Sequence, residues 1–389
     1  MTRGSVQEYA AAVRERYRRA GKREKGRLLD EFCETTGYHR KAAVRLLRRE
    51  SVGGNPERRG RPRRYGVFVA EALRTVWEAA DRIGSKRLAP FLNELVPILE
   101  RTGRLEVADA VREQLVALSA SAIDRLLKPY RLHVRRRPYG QQVAPTSLKA
   151  QIPVRTFGEW AEVRPGSVQA DLVLHCGETL EGFFLCSLVV VDVATGWTEP
   201  QIVWGKGHQR VATAMHLARM KLPVPLREIH TDNGGEFINH VLQPYCRREG
   251  IDFTRGRPYK KNDQAYVEQK NWVVVRRLVG YRRYSSQAAY ERLGALYELV
   301  RLYVNFFQPI RKLVDKRRDG ARVIKHYDEA ATPYRRLLAS GALARTKAHQ
   351  LAALYDALDP VKLRSQIDEG LSALAREADR PRSPAALPA

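Results

Sequence analysis

The stretch that most limits the fold is FFLCSLVVVD, residues 183–192, which is almost entirely apolar. A strand without polar alternation is buried on both faces, as in sheets that helices cover on both sides. A helical segment, residues 208–221, lies further along the chain. Four further strand-like segments surround it: SVQADLVLHC (167–176), GWTEPQIVW (196–204), LREIHTD (226–232) and IDFTRG (251–256). Three consecutive strands followed by alternating helix and strand predict an α/β sheet with helices on both faces.

An acidic residue stands at the end of the fourth strand, in TDNGGEF, residues 231–237. In an open α/β sheet, ligands bind beyond the strand ends, and Asp232 is carried to such an end before a Gly-Gly turn. A carboxylate there is unfavourable unless it is paired or binds a metal. We therefore expect Asp171 in the first strand, Asp232, and Glu268 in a helix predicted from Asp263 to about Val279 to converge on a divalent cation.

The charge balance indicates a polyanionic partner. The 389 residues carry 69 Lys and Arg against 43 Asp and Glu, a formal net charge of +26 at pH 7. Double-stranded DNA is the partner we expect to neutralise it. No membrane role is expected, since no segment approaches the roughly 18 apolar residues of a spanning helix. The N-terminus is not a secretory signal and the four cysteines form no CxxC pair, which favours a cytoplasmic protein without zinc.

Residues 5–50 are predicted to form three helices, and the last two have a helix-turn-helix pattern around Gly37. Apolar side chains share the facing sides of these two helices: Leu28, Leu29, Phe32 and Cys33 in one, Ala43, Leu46 and Leu47 in the other. Basic side chains point outward from the second: His39, Arg40, Lys41, Arg45 and Arg48. The pattern is typical of a DNA-reading unit, and an ordinary αα-hairpin with a solvated basic face would share it.

The segment GGNPERRGRPRRYG, residues 53–66, is too rich in Gly, Pro and Arg to pack a core and is predicted to be a linker. Its Gly60-Arg61-Pro62-Arg63 resembles an AT-hook, which lies in a narrow minor groove; a linker touching phosphates without specificity is the alternative. Residues 67–132 are predicted to be helical. A helix whose Val107, Val111, Leu115 and Leu118 share one face and the next helix, Ala122–Leu127, capped by Ser119 or Ser121, form a second helix-turn-helix candidate. Its second helix carries three charged residues outward: Asp124, Arg125 and Lys128.

Composition also sets the expected domain boundaries. They are 1–52 and 67–132 for two helical DNA-binding domains, 53–66 and 133–165 for basic linkers, 166–309 for the α/β core, 310–379 for a basic and mainly helical C-terminal region, and 380–389 for a disordered tail.

The segment 165–305 resembles the catalytic core of the retroviral integrase and bacterial transposase superfamily, which has a ribonuclease H-like fold. That family has an Asp in its first strand, an Asp in a D-N-G-x-E-F stretch, and a Glu about 35 residues further on. The matching residues are Asp171 in QADLV, Asp232 in TDNGGEF and Glu268 in NDQAYVEQKN, with 35 residues between the last two. Since the N-terminus lacks the His-His-Cys-Cys zinc domain of viral integrases, the chain looks like a DDE transposase of a bacterial insertion sequence.

The resemblance implies a DNA transposase that binds the terminal inverted repeats of a mobile element. Two Mg²⁺ ions, or Mn²⁺, would be held by Asp171, Asp232 and Glu268. Water would free a 3′-hydroxyl at the element's end, and that hydroxyl would attack target DNA, without ATP or a covalent protein–DNA intermediate. The resemblance further implies a homo-oligomer in a synaptic complex at the bacterial nucleoid.

Basic residues in several regions are predicted to contact DNA. In the helical domains and the first linker these are Arg40, Lys41, Arg45, Arg61, Arg63, Arg125 and Lys128; near the catalytic segment they are Arg257, Lys260, Lys261, Lys270 and Arg276. The loop 257–262 suits phosphates and a splayed base, and a solvated loop would have the same composition. Many bacterial members have a basic residue about two turns after the Glu; here Val275 stands near that place, and Arg276 or Lys270 would replace it.

Other acidic residues compete for the catalytic role. We assign Asp192 to capping a turn, Glu236 and Asp263 to helix N-termini, and Asp252 to solvent.

Two other functions fit parts of the sequence. A nuclease of the same fold would cut without joining, although such enzymes usually show four acidic residues and lack paired helix-turn-helix units. A DNA-binding regulator with a silent core is the other, and the intact Asp171, Asp232 and Glu268 argue against it.

Overall fold

The computed structural model describes residues 2–48, 64–131, 163–257 and 261–379. The chain divides into two compact units, Met1–Arg64 and Tyr65–Ala389. Several predictions lie outside the described residues: the AT-hook-like Arg61 and Arg63, most of the linker 133–165, Lys260, the side chain of Lys261, and the tail 380–389. Within the described ranges, no helix combines the length and apolarity needed to cross a bilayer.

The described part of the first unit consists of three helices, as predicted. They are α1 (Arg3–Arg19), α2 (Lys22–Thr36) and α3 (Arg40–Arg48). Phe32 and Leu47 are fully buried between them. Gly37 ends α2 with φ +70°, a left-handed conformation that glycine adopts without a steric penalty. The helices and the turn lie where the pattern places them, and DNA reading by this unit stays a prediction.

The second unit begins with four helices around an apolar core that includes Leu88 and Leu92. They are α4 (Val67–Ala79), α5 (Ser85–Arg101), α6 (Asp109–Val116) and α7 (Ala120–Leu127). Ser119 is the residue that caps α7, because its hydroxyl accepts from the Ala122 N–H at 3.2 Å. A cap of this kind stabilises a helix by about 1 kcal/mol.

A mixed five-stranded sheet follows in the described part of the chain, with strand order β3-β2-β1-β4-β5. Its strands are β1 (Ser167–Leu174), β2 (Cys186–Asp192), β3 (Thr198–Val203), β4 (Glu228–Thr231) and β5 (Asp252–Arg255). The first three are antiparallel, and β4 and β5 join parallel to β1. Every residue of β2 is buried, which confirms the interpretation of the apolar run.

Helices pack around this sheet and mostly match the pattern. They include α8 (His208–Lys221), α9 (Leu242–Arg248) and α11 (Gln287–Phe307). The prediction of a helix from Glu236 was wrong. Residues 235–240 form turns, and α9 starts after Asn239, whose Oδ1 accepts from the N–H groups of Val241 and Leu242.

The segment that carries Glu268 is less regular than the continuous helix predicted from Asp263 to Val279. A 3₁₀ helix (Lys261–Gln264) leads into α10 (Ala265–Lys270), and a π-helix (Asn271–Arg276) continues it. Single π turns inside helices are frequent at functional sites.

The C-terminal region is mainly helical, with a hairpin that the sequence pattern did not predict. Strands β6 (Leu313–Asp319) and β7 (Arg322–Tyr327) form the hairpin. Helices α12 (Pro333–Ala339), α13 (Arg345–Ala357) and α14 (Pro360–Arg376) follow. Almost every strand residue of the hairpin is exposed, so no apolar alternation marked it.

Candidate active site

The two aspartates of the predicted site lie side by side at the end of the sheet. Strands β1 and β4 run parallel, with Ala170 beside Thr231. Asp171 and Asp232 each follow one member of that pair, so their backbones are neighbours across strands that lie about 4.8 Å apart. Sheet pairing therefore explains how residues 61 positions apart in the sequence come together.

The turn after β4 fixes Asp232. The Gly234 N–H donates to its Oδ1 at 2.8 Å. Asn233 holds the turn against β5, because its Nδ2 donates to the Gly256 carbonyl at 2.9 Å while Arg255 donates to its Oδ1 at 3.1 Å. The Asp-Asn-Gly order thus has a local structural reason.

Glu236 is the acidic residue whose role the sequence misjudged. It caps no helix, since α9 begins later. A Cβ on Gly234 would lie 2.7 Å from the Glu236 carboxylate and 2.9 Å from Oδ1 of Asp232, so both carboxylates lie beside the same glycine. Burial raises the pKa of Glu236, and the charge of Asp232 raises it further, whereas Lys206 opposes the shift. The structure brings Glu236 to the aspartates and leaves no room there for a side chain on Gly234.

Asp171 lies in an environment that disfavours its charge. Burial, followed by the charge of Asp232 and, more weakly, that of Glu236, raises its pKa to about 7. Two donors oppose the shift: the Leu172 N–H at 2.8 Å from Oδ1 and the Asn271 amide at 2.6 Å from Oδ2. At Asp171 the charges of neighbouring carboxylates add to the effect of burial, and active sites are where such raised pKa values concentrate.

Gln169 attaches the Glu268-bearing helix to β1. It precedes Asp171 by two residues, on the same face of the strand, and is fully buried. Its Oε1 accepts from the N–H groups of Tyr266 and Val267 at 3.1 and 3.2 Å, and its Nε2 donates to the Asp263 carbonyl at 2.9 Å. One side chain on the strand therefore caps the start of α10 and fixes its position.

Glu268 is exposed on α10. It precedes Asn271 by three residues, a spacing that puts side chains on adjoining faces. Because Asn271 contacts Asp171, the helix presents this part of its surface to the carboxylates. The buried Oδ1 of Asn271 has no hydrogen-bond partner within the described residues, so an acceptor oxygen is left at the site.

The donor set suits a divalent cation, although it is not closed in this conformation. Among the described residues, no three His, Cys, Asp or Glu side chains are close enough together to hold an ion as they stand. The carboxylates of Asp171, Asp232 and Glu268 and the Asn271 oxygen are the kind of hard ligands that Mg²⁺ takes, with water in its other positions. Glu268, being exposed, can change rotamer without disturbing the core.

The competing acids have other partners. Asp192 caps its turn as predicted, since it accepts from the Thr195 N–H and hydroxyl at 2.8 and 2.6 Å. Asp252 is exposed, as expected. The prediction for Asp263 was wrong: its buried carboxylate pairs with Arg257 at 2.9 Å instead of capping α10.

The basic residues predicted to touch DNA have varied surroundings. Those of the helical domains are exposed: Arg40, Lys41, Arg45, Arg125 and Lys128. Arg40 pairs with Asp30.

Near the site, the candidate DNA contacts are less accessible. Arg257 is held by Asp263. Lys270 is only 5% exposed, and burial lowers its pKa to about 7, so a DNA contact would require it to leave the core. Arg276 is half-buried. All of these contacts stay predictions.

The chain is similar to known proteins in sequence and in structure. Residues 162–261 match the family described as integrase core domain. Over 329 residues the chain is 44% identical to the uncharacterized protein y4rM of Sinorhizobium fredii (strain NBRC 101917 / NGR234), covering 85% of this chain and 94% of the relative. Among solved structures, the catalytic core domain of BIV integrase is similar, with 23% identity over 45% of this chain and 95% of that one. Its TM-score of 0.30 is too low to support an argument.

Proposed function

Because the chain belongs to the DDE integrase and transposase family, we propose that it cuts the ends of a mobile element and joins them to target DNA. The observation that carries this proposal is the pairing of Asp171 and Asp232 on neighbouring strands beside the helix of Glu268. Polynucleotidyl transfer is the chemistry of the family, and such proteins bind DNA. The high positive charge supports the same partner.

We assign Asp171, Asp232 and Glu268 as the ligands of one or two divalent ions, with Mg²⁺ expected. When bound, such ions activate the attacking oxygen and stabilise the leaving oxygen of an in-line displacement at phosphorus. The raised pKa of Asp171 supports the assignment, since a cation would relieve the repulsion from Asp232.

The residues of the chain orient these ligands. The Leu172 N–H and Asn271 hold the two oxygens of Asp171, and the Gly234 N–H holds Asp232. Only Glu268 remains at the surface, so its carboxylate completes the site when the DNA arrives. A phosphate approaching this sheet end meets two aspartates that are already oriented, and Glu268 is the ligand that has to move.

We further propose that the helices of residues 1–52 and 67–132 bind the inverted repeats at the element's ends, with a homo-oligomer holding two ends together. The exposed basic residues of α3, and Arg125 and Lys128 at the end of α7, support this role. The C-terminal region, 310–379, contributes further DNA or subunit contacts in this scheme.

The direct test is a joining assay with a labelled duplex carrying the flanking inverted repeat, a plasmid target and Mg²⁺. Asp232→Asn and Asp171→Asn should lower joining roughly a thousandfold or more while DNA binding is retained. Asp252→Asn is the matched control, because it removes an exposed carboxylate from β5 outside the site. Joining by Asp232→Asn at the control rate would contradict the assignment.

A nuclease of the same fold is the second candidate. Glu236 favours it, because a fourth carboxylate beside Asp171 and Asp232 is typical of nucleases that cut without joining. The same assay separates the two, since a nuclease shortens the labelled strand and transfers none of it to the plasmid. Glu236→Gln should abolish cutting in a nuclease and reduce joining only modestly in a transposase.

A further inference from the structure

A cavity of about 640 Å³ lies beside the end of the helical segment that carries Glu268. Residues 276–282 and Tyr284 form one wall, and Asp368 to Ala375 of α14 form the other. Tyr284 and Leu374 are almost fully buried at its base. Its volume falls in the range of roughly 300–1,000 Å³ typical of small-molecule sites, which accommodates one nucleotide.

Two arginines in the lining are available to an anion. Arg276 and Arg282 have no carboxylate within ion-pair distance in the described part of the chain. Arg276 donates to the Gly280 carbonyl at 3.5 Å and Arg282 to the Ala375 carbonyl at 3.4 Å, both at the long limit of hydrogen bonding. A phosphate would offer each guanidinium a shorter, charge-assisted bond.

The other charges of the lining are already compensated. Arg277 pairs with Asp81 at 2.9 Å. Asp368, the acidic residue of the lining, pairs with Arg364. The uncompensated charge that faces the cavity is therefore positive.

An aromatic ring lies between the two arginines in sequence. Tyr281 is 38% exposed, and the Arg276 guanidinium lies 4.7 Å from its ring centroid. A nucleobase stacks on a tyrosine ring or on a guanidinium plane with little dependence on sequence. The cavity thus combines a stacking surface with phosphate donors.

The position of the cavity relates it to the catalytic carboxylates. Arg276 follows Glu268 by eight residues along α10 and the π-helix, roughly 12 Å at the α-helical rise. That length corresponds to roughly two to four nucleotides, given a rise of about 3.4 Å per base pair.

We propose that this cavity receives one extrahelical nucleotide of the DNA, roughly two to four positions from the phosphate that is cut. Its phosphate contacts Arg276 and Arg282, and its base stacks on Tyr281. Holding that nucleotide out of the duplex keeps the end open and exposes the scissile phosphate. The inference rests on the proposed function in taking the bound DNA as substrate.

The test measures binding without metal, so that it does not depend on catalysis. The probes are a paired duplex that ends in the flanking inverted repeat and copies with a mismatched 2-aminopurine at each of the terminal positions in turn. With the mismatch at one of these positions, the full-length protein should bind the probe roughly tenfold more tightly than the paired duplex. Binding should also change the 2-aminopurine fluorescence of that probe. Tyr281→Ala should remove this preference, whereas Tyr281→Phe, which keeps the ring, should retain it.

Salt dependence distinguishes the phosphate contacts from the stacking. Arg282→Ala should reduce the slope of log affinity against log salt by about one, while Tyr281→Ala leaves the slope unchanged. Arg345→Ala is the matched control, because it removes an exposed arginine at the start of α13, outside the cavity lining, and should keep the preference for the mismatched copy. Binding of the paired duplex reports that each variant is folded.

The outcomes separate this inference from the proposed function. A protein that joins DNA in Mg²⁺ but prefers no mismatched position, or whose preference survives Tyr281→Ala, has no such nucleotide site. A Tyr281-dependent preference in a protein that never joins or cuts DNA would support the site and overturn the proposed function.

Discussion

Two groups of carboxylates lie in or beside the same sheet, one buried and the other half-buried, and their surroundings differ. Asp192 and Glu199, on β2 and β3, each accept three hydrogen bonds. Asp171 accepts two and lies beside further carboxylates. Burial raises the pKa in both groups. At Asp192 and Glu199, hydrogen bonds and positive charges oppose this rise, whereas at Asp171 the charges of Asp232 and Glu236 increase it.

The difference distinguishes an acid that stabilises the fold from one that remains available for chemistry. Glu199 is fully buried, and its partners Arg301 and Trp197 compensate it within the protein. Asp171 is compensated only in part, and a bound cation would complete the compensation. The two groups differ in how far hydrogen bonds and opposite charges from the fold itself compensate the carboxylates.

The largest effect is expected from a substitution in the group of Asp192 and Glu199, which stabilises the fold. Glu199→Gln should lower the free energy of unfolding by roughly 3–5 kcal/mol, because it leaves the mostly buried Arg301 without its countercharge. Urea unfolding measures it. Asp171→Asn, the same change in the other group, should not destabilise the protein, and an equal loss in both variants would show that the two groups do not differ.

The pH dependence of stability sharpens the comparison. Since the pKa of Asp171 is raised to about 7, the folded state holds this proton more tightly than the unfolded state, whose pKa is near 3.9. The contribution of the Asp171 proton to the free energy of unfolding is fully present below about pH 4 and is lost as the pH rises through 7. In EDTA, the wild type should therefore lose roughly 2–4 kcal/mol over this range relative to Asp171→Asn. Parallel curves for the two proteins would contradict the raised pKa.

Sequence reasoning predicted the strands and the strand-end position of Asp232 because each depends on local pattern, whereas Asp171 was proposed through the family resemblance. Burial of β2 follows from its apolar run, and Asp232 from the turn that follows β4. Gln169, Asn271 and Glu236 were missed, since each acts through a contact made only in the folded chain. For Gln169 a signal existed: an uncharged polar residue in a buried strand, two residues before the first acid.

The hairpin β6–β7 and the π-helix likewise could not be predicted from local sequence pattern. The hairpin is almost entirely exposed and carries no alternation, and a π-helix has no distinct sequence period. The ion pair of Asp263 with Arg257 was missed for another reason: an acid before a helix is most often a cap, and here Gln169 supplies that cap from β1.

Substitution of Asn271 should have a smaller effect, and this effect should fall on the joining rate and not on DNA affinity. Asn271→Ala removes a donor from Asp171 and should reduce joining about tenfold, with little change in DNA affinity, because it misorients a ligand without touching DNA. Kinetics as a function of DNA concentration measure the two separately. Asn271→Asp places a further carboxylate against Asp171, so it should raise the Mg²⁺ concentration needed for half-maximal joining less than Ala does. The reverse order would indicate that a carboxylate at position 271 repels Asp171 more than it helps to bind Mg²⁺.

The smallest effect concerns metal binding itself. An ion at about ten times its dissociation constant adds roughly 1.4 kcal/mol, so Mg²⁺ should raise the melting temperature by about 2 °C at pH 7.5. The shift should vanish in Asp171→Asn and Asp232→Asn and persist in Asp252→Asn, whose lost carboxylate lies on β5 away from the group. Equal shifts in all four proteins would mean that the ion binds elsewhere. The carboxylates around Asp171 would then need another source of positive charge, and the DNA-bound complex, with arginines drawn toward the phosphate, would be the place to look for it.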